Sequence, residues 1–164
     1  MIIFVKNKYT LELNEFKFRC CIGKNGSTKN KLEGDNKTPK GLFKLGRLFY
    51  RKDRIHKPKT NLKCSDIKRN FRWCDDPNDK KNYNKLITKK SFIKSENLFR
   101  KDYKYDLLLV IKYNTVKRVP GKGSAIFIHL TKKYQPTAGC IALCKKDFLI
   151  LLKIINKKTR IKIY

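Results

Sequence analysis

The sequence is short of acid. Its 164 residues carry 13 Asp and Glu against 42 Lys and Arg, a formal charge of +29. It holds two histidines, His56 and His129, one Trp, one Met and three alanines. No apolar run exceeds five residues, and Phe148–Leu152 is cut by Lys153. Each shortage excludes something. A helix needs about 18 consecutive apolar residues to cross a bilayer, so no helical span is expected. Met1–Val5 is followed at once by Lys6-Asn7-Lys8, so no secretory leader is expected. Two histidines and the lack of any CxxC pair leave zinc without local ligands, and no metal site is expected. The six cysteines (Cys20, Cys21, Cys64, Cys74, Cys140, Cys144) are even in number, but a chain this long with 40% apolar residues builds a core without a disulfide scaffold.

The charge first points to a polyanion as partner. Its composition weakens that reading. Lys outnumbers Arg 33 to 9, whereas readers of phosphate and base edges lean on Arg. Ile and Asn number 16 and 13, the mark of AT-rich codons, so part of the charge is compositional drift. The basic residues also run from end to end without a tail or patch. Nucleic acid is therefore not the expected partner. With 12% aromatic residues and no linker, the chain reads as a single folded domain over residues 1–164.

Short apolar runs separated by turns mark strands at Ile2–Val5, Thr10–Leu13 and Phe16–Ile22. A Gly-rich loop from Gly23 to Gly41 leads to a strand over Leu42–Tyr50. The segment from Arg51 to Tyr105 is polar and aperiodic, and reads as long loops with short helical pieces. Asp106–Tyr113 is nearly continuous apolar sequence, the mark of a buried central strand. Ala125–Leu130 is the next, with His129 at its end. Cys140–Leu143 is a further short apolar run, Lys145–Asn156 has helical spacing at Phe148, Leu149, Leu152 and Ile155, and Thr159–Tyr164 closes as a strand.

His129 and Cys140 are the candidate chemical pair. Ten residues separate them, enough to return the chain to a neighbouring strand. A cysteine becomes a nucleophile when an imidazole takes its proton. Gly139, in the turn Pro136-Thr137-Ala138-Gly139, gives the backbone freedom beside the thiol, and the Cys140 N–H would sit near an oxyanion. By spacing alone, a small core residue is the commoner role for such a cysteine.

The surrounding residues resemble the L,D-transpeptidase (YkuD/ErfK-type) family. Ile126-Phe127-Ile128-His129 and Pro136–Leu143 resemble its strand-end His and Ser/Thr-x-Gly-Cys turn. Glu33-Gly34-Asp35 and Thr38-Pro39-Lys40-Gly41-Leu42-Phe43 resemble its EGD-x-x-TP-x-G-x-F segment. Asp53-Arg54, Trp73–Pro77, Tyr83-Asn84, Tyr105-Asp106, Tyr113-Asn114 and Gly121–Ser124 follow in the order of small stand-alone bacterial members. The resemblance implies a mainly β fold, a mixed sheet curled into a sandwich or barrel with long loops and a C-terminal helix. It implies that Cys140 attacks the bond between the third residue, a diamino acid, and the D-Ala of a peptidoglycan stem peptide, with His129 as base and then acid, the Gly139 carbonyl orienting His129, and no cofactor. Thr137, Ala138, Asn114 and Ser124 are the implied substrate contacts. Peptidoglycan is the implied partner, with anionic wall polymers or lipids held by the basic surface. The implied place is the cell envelope, in tension with the missing leader, and the chain is expected to be a monomer.

Two departures stand out. Ala142 occupies the position where many members carry Arg, so a substrate carboxylate would be met elsewhere, with Lys122, Lys132, Lys133 and Arg118 as candidates. The short His-to-Cys spacing implies a trimmed lid. Hydrolysis on the same site, and a basic binding protein that keeps only the fold, are the rival functions. The remaining residues have plainer roles. His56 is expected at the surface, one of Cys20 and Cys21 inward and the other outward, Cys74 packed, and Cys144 free. Asp75 and Asp76 are ammonium contacts or caps, Glu33-Gly34-Asp35 a turn brace, and Tyr113-Asn114 either near the site or structural.

Overall fold

The computed structural model describes residues 1–88 and 94–164; the part of the polar middle segment at 89–93 lies outside the described residues. The N-terminal alternation forms a meander of β1 (Ile2–Val5), β2 (Thr10–Leu13) and β3 (Phe16–Cys21). Leu11 and Leu13 are fully buried while Thr10 and Glu12 on the other face are half-exposed, as period-two geometry requires. In the Gly-rich loop, two short strands, β4 (Ser27–Thr28) and β5 (Thr38–Pro39), pair in parallel. The long β6 (Gly41–Tyr50) follows, flanked by β7 (Cys64–Asp66).

Beyond the middle segment come β11 (Leu107–Ile111), β12 (Phe127–Leu130) and β13 (Ile141–Leu143), then helix α1 (Lys145–Ile154) and β14 (Arg160–Ile163). Strand β6 closes the sheet. Its first half pairs with β14, Arg160 opposite Lys44, and its second half with β11, Leu107 opposite Tyr50. The sheet then runs β11-β12-β13-β3-β2-β1-β14 and returns to β6. This is a closed, mixed, barrel-like sheet, so the long edges that invite aggregation are paired. Where β6 passes β11 the register slips between Leu109 and Ile111. Gly46 sits there, and a Cβ on it would lie 2.9 Å from Val110 Cβ.

All residues of β11, β12 and β13 are buried, because both faces of these strands are covered. One face packs into the barrel core with Leu11, Leu109, Ile128 and the helix residues Phe148, Leu151 and Leu152. The other packs into a second core of Phe49, Trp73, Leu108 and Phe127, against which Cys140 rests. Cys20 points into the barrel core and Cys21 to the opposite face, as strand alternation leads one to expect, and the double cover buries the outward one too. Both are buried, since β3 lies between β13 and β2 with core on one side and the Tyr134–Thr137 loop on the other.

The middle segment departs from the expected helical pieces. Among the described residues it holds a small antiparallel sheet of β8 (Arg72–Cys74), β9 (Leu86–Ile87) and β10 (Ser95–Asn97) in the order β10-β8-β9. Strands of two or three residues show no period. Side chains hold them instead: Trp73 packs edge-on against Phe127 at 5.1 Å and its Nε1 donates to Asn84 Oδ1 at 2.8 Å.

Candidate active site

Strands β12 and β13 run parallel, with Ile128 beside Ile141 and His129 beside Ala142. One step back sets Cys140 beside Phe127. Residues two apart on a strand share a face, so His129 and Cys140 stand on one face, diagonally placed across two adjacent strands. Both line a cavity of about 670 Å³. The loop joining them is pinned at Thr137, whose N–H donates to Ile22 O at 2.9 Å and whose carbonyl accepts from Lys24 N at 2.8 Å.

The turn before the thiol is fixed by two threonines. Thr137 Oγ1 donates to Cys140 O at 2.6 Å and accepts from Gly139 N at 3.1 Å. Thr38 Oγ1 donates to Gly139 O at 2.9 Å and accepts from Gly23 N at 2.9 Å. Gly139 has φ +138°, where side chains are strained, and a Cβ there would lie 2.8 Å from Lys37 O. The TP segment thus braces the turn before Cys140 from a distant part of the chain.

The Cys140 thiol is half-buried. It donates to Ala125 O at 3.2 Å and accepts from Phe127 N at 3.4 Å. Ala125 has φ +51°, a conformation disfavoured for a side chain with a Cβ, and its N–H is held by Asn84 Oδ1 at 3.1 Å. Burial pushes the Cys140 thiol up to about 12, reinforced by the Glu96 carboxylate and opposed by the Phe127 N–H. His129 is buried, and burial lowers its imidazole to about 4, with the Leu130 carbonyl opposing. The resting pair is therefore a neutral thiol and a neutral imidazole. His129 Nδ1 lies 3.0 Å from Leu130 O. A carbonyl only accepts, so the ring proton is assigned to Nδ1, leaving Nε2 with a free lone pair. Among the described residues the two side chains share no hydrogen bond; each is bonded to main chain.

In this structure the His129 ring bonds the Leu130 carbonyl, while the Gly139 carbonyl accepts from Thr38 Oγ1. Thr137, Ala138 and Ser124 line the cavity. The Thr137 hydroxyl is spent on the turn, and Ser124 Oγ donates to Glu33 Oε2 at 2.8 Å. Asn114 does not line the cavity. Its amide bridges Val119 O and Gly123 O at 3.0 and 2.9 Å and its Oδ1 accepts from Val119 N at 2.8 Å, so it holds its own loop. Ala142 is on the wall, and of the four cations considered in its place Lys132 and Lys133 are on the wall too. Arg118 instead bonds Thr115 O at 3.4 Å, and Lys122 lies in the loop whose carbonyl accepts from Tyr113.

Four wall residues, Glu33, Glu96, Arg100 and Tyr105, are not legible in the sequence as site residues. In the Glu33-Gly34-Asp35 segment Asp35 alone braces the turn, accepting from Leu32 N at 2.9 Å, Lys37 N at 2.8 Å and Lys31 Nζ at 2.5 Å. Glu33 turns into the cavity and accepts from Tyr83 OH at 2.7 Å. Glu96 accepts from Tyr105 OH, and the Tyr105 ring lies 5.5 Å from the His129 ring at 61°. Arg100 stands 4.0 Å from Glu96 and over the Tyr105 ring. Tyr105 stands out in the sequence only by its place in the family order, and nothing marks Glu96 within its lysine-rich surroundings. Of the others, His56 is exposed, Cys74 is fully buried, and all six cysteines are free. Asp76 Oδ1 accepts from Asn78 N at 2.9 Å as a turn cap, while Asp75 lines the cavity. Among the described residues no helix is long and apolar enough to cross a membrane.

A family model, YkuD, described as the L,D-transpeptidase catalytic domain, matches residues 1–163. No curated protein matches the chain. Among solved structures, the chain is similar to the helical cell shape determining protein Pgp2 from Campylobacter jejuni, with a TM-score of 0.51 and 20% identity over 99% of this chain and 46% of that one. It is similar to Bd1075 from Bdellovibrio bacteriovorus, with a TM-score of 0.50 and 18% identity over 99% of this chain and 47% of that one. At such identities the likeness is one of fold. The chain spans just under half the length of these proteins.

Proposed function

The chain belongs to the YkuD family of L,D-transpeptidase catalytic domains, and from that premise we propose that it is a cysteine acyltransferase acting on peptidoglycan stem peptides. The observation that carries this reading is the shared face of His129 and Cys140 on paired parallel strands at the wall of one cavity. Cys140 Sγ attacks the carbonyl between the third residue and D-Ala, and its proton passes to His129 Nε2. The C–N bond breaks, D-Ala leaves with the proton from His129, and a thioester remains. An amine of a second stem peptide then attacks the thioester, giving its proton to His129, which passes it to the departing Cys140 sulfur, and a 3→3 crosslink forms.

The neutral resting pair fits this sequence. The thiol does not ionise in advance; it transfers its proton as the carbonyl arrives and excludes water from the cavity. Lys132 and Lys133, at the cavity wall, are positioned to meet the carboxylate of the departing D-Ala in place of the Arg that Ala142 replaces. The same reading places the enzyme in the cell envelope, with its basic surface toward anionic wall polymers or lipids.

Mass spectrometry of a defined disaccharide tetrapeptide after incubation tests it. A crosslinked dimer that has lost one D-Ala is expected, and Cys140→Ala and His129→Ala should each reduce product by about a thousandfold or more with the fold retained. Tripeptide alone would reassign the enzyme to hydrolysis. Unchanged substrate, or activity like the parent in either variant, would overturn the mechanism.

A further inference from the structure

Asn84 stands behind the cavity wall, outside the residues that line it, and is 3% exposed. Its amide is bonded at every position it has. Oδ1 accepts from Trp73 Nε1 at 2.8 Å and from Ala125 N at 3.1 Å. Nδ2 donates to Tyr113 O at 3.0 Å and to Asn114 O at 2.7 Å. Two N–H groups meet one end and two carbonyls the other, so the amide has a single orientation. The Asn84 backbone is left-handed at φ +55°, a conformation that Asn tolerates better than most residues. Its own N–H donates to Cys74 O at 2.8 Å. One residue thus joins the small β10-β8-β9 sheet to the end of β11 and to the approach to β12.

The link to Ala125 bears on the thiol. The Ala125 carbonyl accepts from Cys140 Sγ at 3.2 Å, while the His129 ring is bonded to Leu130 O. Ala125 sits at φ +51°, which is disfavoured for alanine and open to glycine. A residue kept against its own preference is held by its surroundings. The bond from Ala125 N–H to Asn84 Oδ1 supplies that hold. Without it, relaxation to negative φ turns the adjoining peptide planes and carries the Ala125 carbonyl off the sulfur.

We propose that Asn84 is a positioning residue for Cys140: acting through the Ala125 backbone, it fixes where the sulfur rests and keeps the thiol proton on the Ala125 carbonyl until His129 takes it. The part played by His129 rests on the acyl-transfer reading above; the hold on the thiol does not. The bond from the thiol to Ala125 O exists only while the sulfur is protonated, so it favours the neutral form. Loosening Ala125 therefore has two consequences of opposite sense. The thiolate becomes more populated, and a small electrophile reacts faster. The sulfur no longer rests in one place, and its attack on a carbonyl held in the cavity becomes slower.

The test follows iodoacetamide labelling on the peptide that contains Cys140, with the full chain folded at pH 8, in the parent, Asn84→Ser and Trp73→Phe. Serine is too short to reach Ala125 N and leaves room for water. Trp73→Phe removes a different donor from the same Asn84 oxygen and leaves the Ala125 bond in place, so it reports what loss of a buried hydrogen bond does by itself. Labelling should be about threefold or more faster in Asn84→Ser and within about twofold of the parent in Trp73→Phe. Labelling of Asn84→Ser like the parent, or equal acceleration in the two variants, would overturn the proposal. Asn84→Asp is the second variant should Asn84→Ser not fold. It keeps the acceptor for Ala125 N and loses the donors to Tyr113 O and Asn114 O. It should label no faster than the parent, and acceleration there would also overturn the proposal. With a disaccharide tetrapeptide as substrate, Asn84→Ser should show kcat about tenfold lower and KM within about threefold of the parent. An unchanged kcat would overturn the positioning role. If labelling responds as expected but the parent turns over no tetrapeptide, the acyl-transfer reading fails and the hold of Asn84 on the thiol stands.

Discussion

The Thr38 hydroxyl donates a 2.9 Å hydrogen bond to the Gly139 carbonyl, joining residues 101 apart in sequence. The same oxygen accepts from Gly23 N, so one fully buried side chain ties the Gly-rich loop to the turn that carries Cys140. Thr38→Val keeps the shape and removes both bonds, leaving a buried donor and acceptor unpaired. It should cost about 2–4 kcal/mol in denaturant unfolding and lower turnover further than a stability change alone would. Thr38→Ser, which keeps the hydroxyl, should restore most of both. Equal behaviour of Val and Ser would show that the hydroxyl does not brace the turn.

Gly139 allows a separate test of the same turn. Its φ of +138° and the 2.8 Å separation that a Cβ would have from Lys37 O leave no room for a side chain. Gly139→Ala should lower stability by about 1–3 kcal/mol and displace Cys140 from its bonds to Ala125 and Phe127. Alkylation of Cys140 should then become faster at neutral pH as the thiol loses its enclosure. Unaltered stability and alkylation would mean that the turn relaxes without strain.

The neutral resting state of the pair predicts how the free enzyme reacts. With the Cys140 thiol near 12, its thiolate fraction grows across the whole accessible alkaline range. Iodoacetamide labelling of Cys140, followed on the peptide that contains it, should rise about tenfold per pH unit from 7 to 10 without a plateau. A plateau below pH 8 would reveal a preformed thiolate–imidazolium pair.

The sequence carries the barrel more openly than the site. Ile2–Val5, Thr10–Leu13 and the continuous run at Leu107–Ile111 show their strands because period and burial reinforce each other over four or five residues. The strands around Trp73 and Glu96 have two or three residues and no period, and their stability comes from contacts such as Trp73 to Asn84 that no local pattern announces. His129 and Cys140 are legible because one strand end, one glycine turn and one short connection place them. Glu96 is not, since residues 33, 75 and 96 come to one cavity only through the fold. Asn114 is the converse case: its motif is visible, but its amide serves the loop from Val119 to Gly123.

The buried imidazole also leaves a mark on stability. His129 titrates near 4 in the folded chain against an ordinary value of 6.5, because burial excludes its charged form. Between pH 6.5 and 4 the unfolded chain therefore binds a proton that the folded chain refuses. The sign follows from linkage: stability is full above about pH 6.5, falls as pH drops toward 4, and stops falling on this account below it. The interval corresponds to about 3 kcal/mol at most. Asp75 and Glu96 are raised by burial, which acts on stability in the opposite direction. They cancel when His129→Gln is compared with the parent, since Gln keeps a donor for Leu130 O but takes no proton. Chemical denaturation from pH 8 to 4 should show the parent losing more stability than the variant, with the gap opening below pH 6.5. Parallel curves would mean that His129 keeps the proton affinity of an ordinary imidazole in the folded chain, against the shift expected from its burial.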